Sequence, residues 1–192
     1  MVMDIYGRAP INKIGEYFRR NISGWDLIPT YIDSHHPEFM PMIVPPVDPD
    51  PGLPRRSHTA DVSWFWGSND GYGLPADAAS ALADLLDADV ASGIVDAWIN
   101  DFHVFVRKLP RETCPSCDGT GVRSDPIAVS NAMASWVVEG PDGNPRVGQT
   151  GSCNACHGWG SLPSSYADYE LEPENLTEFA AFMRASGGFE IW

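Results

Sequence analysis

Positive charge is scarce in this chain. Twelve Lys and Arg stand against 26 Asp and Glu in 192 residues, a formal charge of −14. Residues 61 to 101 hold eight Asp and no Lys or Arg. A field of this sign repels nucleic acid and other anionic surfaces. Nucleic-acid binders concentrate Lys and Arg, and after Arg20 the only small basic groups are Arg55-Arg56 and the stretch from Arg107 to Arg111. Direct nucleic-acid binding is therefore not expected. Two readings of the acid stay open: a solubilising surface, or a face presented to a basic protein partner, even as a mimic of nucleic acid.

Long apolar runs are also missing. None reaches the roughly 18 residues that a membrane span needs, so no membrane role is expected. The opening MVMDIYGRAP has neither the basic nor the apolar segment of a signal peptide. The expected location is the cytoplasm.

Catalytic signatures are absent in turn. There is no G-x-x-x-x-G-K-[ST], no G-x-S-x-G and no dinucleotide fingerprint. DSHHPE places Asp33, His35, His36 and Glu38 within six residues. Those types bind metals and move protons, but their spacing matches no facing pair on a helix. A surface turn is the expectation, with a metal-dependent enzyme as an alternative. Ser57, His58 and Asp61 are neighbours in sequence, which is not the geometry of a triad. His103 falls in an apolar helical stripe and reads as a packed histidine. The balance leans away from an enzyme.

Cysteine is sparse, and all of it is patterned. The four residues form two pairs, Cys114 with Cys117 in CPSCDGTG and Cys153 with Cys156 in CNACHGWG. C-x-x-C-x-G-x-G is thus written twice, 39 positions apart. Zinc takes four ligands in a tetrahedron, with Zn–S about 2.3 Å. One C-x-x-C turn offers two thiolates, and a second turn brought alongside completes the set. Gly119, Gly121, Gly158 and Gly160 sit where the backbone must turn tightly and aim N–H groups at sulfur. One structural Zn²⁺ held by Cys114, Cys117, Cys153 and Cys156 is the expectation. Disulfides and a redox C-x-x-C are the rivals. Nothing marks secretion, cytosol keeps thiols reduced, and a redox site needs no duplicate. His157 is read as lying beside the site, not in it. Arg111 and Arg123 are expected to offset part of the net −2 of a zinc tetrathiolate.

The motif resembles the repeat of the cysteine-rich domain in DnaJ-type co-chaperones. The likeness covers residues 114 to 121 and 153 to 160. That family uses four repeats for two zinc centres; two repeats suffice for one. No H-P-D tripeptide on a helix hairpin occurs, so the resemblance implies zinc and local geometry and not stimulation of an Hsp70. A DnaJ-like chaperone or adaptor is kept as an alternative function. More widely, DIYG with GEYFRRN, FWGSNDGYGL, the twin motifs and SGGFEI resemble a group of uncharacterised phage and bacterial proteins. That likeness implies a viral or mobile-element accessory protein acting on a host macromolecule, and so a host-cytoplasmic location.

The remaining pattern predicts an α+β fold, with helices packed on a small antiparallel sheet and a four-cysteine zinc knuckle. A single domain over 1–192 is expected, with a proline-rich arm at 37–56 and a knuckle and hairpin subregion at 111–162. A helix is predicted over 10–20 from Pro10, Ile11, Ile14 and Phe18. A packed turn with a short helix is predicted over 21–32. Val62 to Trp66 reads as a strand before a GSNDGYG loop. Residues 75–108 carry two apolar stripes on opposed faces, which predicts two helices, 75–88 and 92–108, broken near Ser92-Gly93. Trp136 to Val138 should pair with Arg146 to Gly148 across GPDGNP. The last helix starts at a capping box of Asn175 with Glu178, stops at Gly187-Gly188, and is followed by a short strand, FEIW. The function expected is that of a non-enzymatic, acidic, zinc-stabilised interaction protein with a protein partner.

Overall fold

A computed structural model describes residues 2–42, 66–67, 69, 71–140, 143–169 and 171–192. The chain begins with strand β1, Val2–Gly7, in which Met3 and Ile5 are buried and Tyr6 is exposed. It pairs antiparallel with β2, Tyr17–Asn21, through Ile5↔Phe18 and Tyr6↔Tyr17. On its other side it pairs antiparallel with β5, Phe189–Ile191, through Ile5↔Ile191 and Tyr6↔Glu190. The sheet order is β2-β1-β5.

The helix expected over 10–20 is not formed. A 3₁₀ turn at Lys13–Gly15 leads straight into β2. The Asn12 side chain accepts from the N–H groups of Ile14 and Gly15, a local bond that competes with helix growth. Ile11 and Ile14 are left exposed while Phe18 is buried. The pairing of YFRRN with the first strand overrides the helical spacing.

Asn21 then caps α1, Ile22–Trp25, by accepting from Gly24 N–H at 2.8 Å. Helix α2, Leu27–His35, buries Leu27, Ile28, Tyr31 and Ile32, as the packed segment predicted. A 3₁₀ turn follows at Pro37–Met42. The rest of the proline-rich arm, residues 43–56, lies outside the described residues, as do Ser57, His58, Asp61 and the expected strand from Val62 up to residue 65.

The two-helix prediction holds. Helix α3 is Ala76–Ser92 and α4 is Ile94–Lys108. Gly93 between them is left-handed, with φ 80°, which glycine adopts without a Cβ clash. The break is four residues later than the predicted end of the first helix. Ala78, Leu82 and Leu86 are buried. In α4 only Val95 is fully buried, with Trp98, Ile99 and Phe102 partly so. His103 is exposed, contrary to the packed histidine expected. One residue past Phe102 turns it about 100° away from that stripe.

Helix α6, Pro173–Ser186, packs against α3 and carries buried Leu176, Phe179, Phe182 and Met183. Its start is one turn earlier than predicted. Asn175 Oδ1 accepts from the Glu172 N–H at 3.1 Å, so Asn175 lies inside the helix and Glu178 instead meets Arg20. The predicted stop is present, with φ 64° at Gly187 and 89° at Gly188. Phe179 centres the core, its ring 5.3 Å from Phe18, 5.3 Å from Trp25 and 5.6 Å from Phe189.

The chain divides into two compact units, residues 1–102 with 168–192, and residues 103–167. The second contains the 111–162 subregion read from the sequence. It holds a two-stranded ladder of β3, Glu112–Thr113, and β4, Ser161–Leu162, and a short helix α5, Pro126–Ser130. The expected hairpin is shifted: Val137 bridges Thr150, and Val138 N–H donates to Gln149 O at 2.9 Å. Asn144 is the reason. Its side chain accepts from Arg146 N–H and its carbonyl from Val147 N–H, so residues 145–147 are spent on the turn, and the predicted pairing is met at Gly148, whose N–H donates to Val138 O at 2.9 Å. The α+β class stands, with helices, small antiparallel sheets and the four cysteines brought together.

Candidate metal centre

The repeat in the sequence becomes a near two-fold correspondence in space. Cys114 Sγ lies 3.9 Å from Cys153 Sγ, and Cys117 Sγ 3.8 Å from Cys156 Sγ. All four sulfurs fall within 4.8 Å of one another and all four residues are buried. Each turn repeats the other's hydrogen bonds. Gly119 N–H donates to Cys114 O at 3.3 Å and Gly158 N–H to Cys153 O at 3.2 Å. Thr120 N–H donates to Cys117 O and Trp159 N–H to Cys156 O, both at 2.9 Å. Asp118 and His157 occupy equivalent positions, with φ 47° and 49°.

The glycines are needed for close approach as well as for their positive φ. A Cβ on Gly121 would lie 2.3 Å from the carbonyl oxygen of Gly158, and one on Gly160 would lie 2.2 Å from that of Gly119. Each turn therefore presses its backbone on the glycine of the other. Gly160 N–H donates to Cys156 Sγ at 3.2 Å, and Gly121 N–H does the same for Cys117.

The sulfurs are too far apart for disulfides, which need about 2.05 Å, and all four are free. A tetrahedron with metal–sulfur bonds of about 2.3 Å has edges of about 3.8 Å, which the Cys114–Cys153 and Cys117–Cys156 separations match. Proton affinity within the set is uneven. Burial raises the Cys156 thiol to about 12, with the Gly160 N–H opposing it. Burial raises Cys153 as well. At Cys117 burial acts upward too, but the Gly121 N–H and the neighbouring thiols more than offset it and hold this group below the ordinary thiol range. One thiolate is favoured and the next are resisted, because like charges crowd one another. A bound cation removes that conflict, so the donor set fits a metal ion.

The surroundings hold both turns in place. Arg111 lies over the Trp159 ring at 4.7 Å and donates to Ser161 Oγ and Ser161 O. Arg123 pairs with Asp125 and donates to Asn154. Its pKa is raised first by Asp125, and also by the charge of Cys153 and Cys114. Both arginines named from the sequence are thus beside the centre. Arg146 was missed. Its guanidinium donates to the carbonyls of Thr120, Thr150 and Gly151, at 3.2, 3.3 and 2.8 Å. Only an arginine fork spans three carbonyls, but no local pattern points to them. His157 is exposed and no ligand; its carbonyl accepts from Asn144 Nδ2 at 3.1 Å.

The 33–38 cluster does not converge. Asp33 and Glu38 are exposed. His35 stacks on Tyr31 with ring centroids 4.3 Å apart. His36 is buried, contrary to the surface turn expected, with Nε2 2.7 Å from Asp89 Oδ2. The Tyr31 hydroxyl donates to the same oxygen at 2.7 Å. Burial, then Asp89, raises the Tyr31 pKa above its ordinary value. Asp89 is 53 residues from His36, so the partnership could not be read locally. Among the described residues, the four cysteines are the only group of three or more metal-type donors within reach of one ion.

No family model, curated protein or solved structure matches the chain. Among the described residues no helix is long and apolar enough to cross a membrane.

Proposed function

We propose that this chain is a non-catalytic interaction protein of phage or mobile-element type, fastened by one structural zinc, which binds and inhibits a host protein bearing a basic surface. The observation that carries the reading is the closed donor set: four buried thiols, all within 4.8 Å. Four thiolates fill a tetrahedral shell and leave no place for water or substrate, whereas catalytic zinc keeps one position open. Soft sulfur donors in this geometry favour zinc over harder ions. Charge supports the partner. Residues 1–102 and 168–192 carry 7 Lys and Arg against 21 Asp and Glu, while residues 103–167 carry five of each. The whole imbalance belongs to the first unit.

The test has two parts. Metal analysis of reduced, natively purified protein should return one zinc per chain, and cobalt replacement should show a tetrathiolate spectrum. Capture from host lysate, followed by reconstitution from purified components, should give a stoichiometric complex. Absence of zinc, or metal-dependent turnover abolished by His36→Ala, would refute the reading.

A second reading is a DnaJ-like adaptor for unfolded peptides. It draws on apolar side chains left exposed in the second unit: Ile127, Val129, Trp136, Val137 and Val147. Binding to a permanently unfolded, reduced protein in preference to its folded form would favour it.

A further inference from the structure

A cavity of about 250 Å³ opens on the first unit where β2 runs into α1, opposite the start of α6. Its walls include Arg20 and Asn21 from β2, Ser23 from α1, Asp168, and Glu172 and Asn175 around the first turn of α6. No apolar side chain lines it. Pockets for drug-sized ligands are larger and mostly apolar. A space this small, walled by charge, amide and hydroxyl, suits a small polar molecule.

The groups on the wall are only partly committed to the chain. The Arg20 guanidinium lies over the Phe18 ring at 4.9 Å and gives Nη2 to Glu178. Its Nε is buried with no partner, and Nη1 has none among the described residues. Both asparagines have their oxygens engaged. Asn21 Oδ1 accepts from Gly24 N–H at 2.8 Å, and Asn175 Oδ1 accepts from Glu172 N–H at 3.1 Å. Each amide therefore keeps its Nδ2 to offer, and that group can only donate. Among the described residues neither Ser23 Oγ nor the Asp168 carboxylate has a partner. Glu172 adds a second carboxylate, exposed like that of Asp168.

The mixture of signs selects the ligand. A plain anion would meet the two carboxylates, and a plain cation would meet Arg20. A molecule carrying both charges satisfies both sides. Its carboxylate takes the bonds that Arg20 and the amide groups can donate, which answers a buried donor otherwise left unmet. Its ammonium donates to Asp168 and Glu172. The volume keeps the two charges within a few bonds of each other. We infer that this cavity binds a free α-amino acid, with the carboxylate toward Arg20 and the ammonium toward Asp168 and Glu172. All six residues belong to the first unit, so the site is independent of the metal centre, and it goes beyond the protein partner proposed above.

The test is a titration of the full chain, loaded with zinc, with each of the twenty common amino acids, read from backbone amide NMR shifts. At least one should give saturable shifts at Ser23, Gly24 and Asn175. Its methyl ester lacks the carboxylate charge and its N-acetyl form lacks the ammonium. Each should bind at least about tenfold more weakly, as loss of a hydrogen bond to a charged group does. Asp168→Asn should weaken the amino acid about tenfold without weakening the N-acetyl form. Arg20→Lys keeps a charge for Glu178 but removes the planar fork, and should weaken the amino acid without weakening the ester. Should Arg20→Lys lower the thermal transition, Asp168→Asn decides instead, since that side chain is exposed and its loss leaves no group of the described chain unpaired. The control Asp101→Asn, on α4, should bind as the wild type does. No saturable shift with any amino acid overturns the inference. So does equal binding of the ester or the N-acetyl form, or an unchanged affinity in Asp168→Asn. Shifts confined to residues away from the cavity overturn its location. None of these failures touches the metal centre or the protein partner.

Discussion

Residues 103–167 bury little around the four cysteines beyond partly covered Trp159 and Leu162. Residues 1–102 with 168–192 bury Trp25, Trp66, Tyr31, Phe179, Phe182 and Phe189 almost completely. Large rings in contact make the first unit stable by many small contributions. The second has less apolar mass for that, and its four buried thiols could take up the role through a metal ion. Small domains with thin cores commonly need such a fastener. Cohesion spread over many contacts fails by degrees, and cohesion placed on one ion fails at once.

The sharpest way to break the comparison is to remove the proposed ion. A strong chelator, or Cys114→Ser, should unfold residues 103–167 and leave the first unit's backbone amides protected in hydrogen exchange. The expected loss is the metal-coupled folding energy, on the order of 10 kcal/mol for structural zinc. Loss of protection in both units together would show that they share one source of stability.

The reciprocal change is Phe179→Ala. It removes the ring that meets Phe18, Trp25 and Phe189. The expected cost is about 3–5 kcal/mol, read as a lower denaturant midpoint for the first unit, with zinc stoichiometry unchanged.

Gly160→Ala is smaller again. The residue has φ 75° and no room for a Cβ beside Gly119 O. Strain of about 1–3 kcal/mol should appear as weaker metal retention in competition with a chromogenic chelator, with the first unit's melting unchanged.

The smallest effect concerns pH. Arg123 holds the Asp125 carboxyl below the usual carboxylate range, helped by the N–H groups of Ala128 and Ile127. A depressed folded pKa contributes stability that is present above the unfolded value and lost as pH falls through the folded one. Asp125→Asn should therefore flatten the acid limb of the second unit's stability curve slightly, measured by melting from about pH 5 down past the unperturbed Asp value of about 4, since the loss lies below that value.

The two units also differ in how much of them the sequence disclosed. The meeting of the four cysteines was legible because they and their glycines are local and repeat one spacing. The helix break at Gly93 was legible because two stripes out of phase cannot share a core. The sheet was not. Residues 2–7 look like nothing in particular until 17–21 and 189–191 lie beside them, and the apolar spacing of Ile11, Ile14 and Phe18 fits a helix equally well. The His36 and Tyr31 bonds to Asp89 were hidden for the same reason: tertiary pairing supplies the partner. The hairpin shift at 145–147 came from the side chain and carbonyl of Asn144, which turn dipeptides alone do not reveal.

The mutual pressing of Gly121 on Gly158 and of Gly160 on Gly119 bears on how such a motif can change over generations. A larger residue in one copy collides with the main chain of the other, which cannot move aside without disturbing its own sulfurs. The two copies are thereby heritable only as a matched pair. Drift in one half is checked by the other, even though the 31 residues of 122–152 run between them.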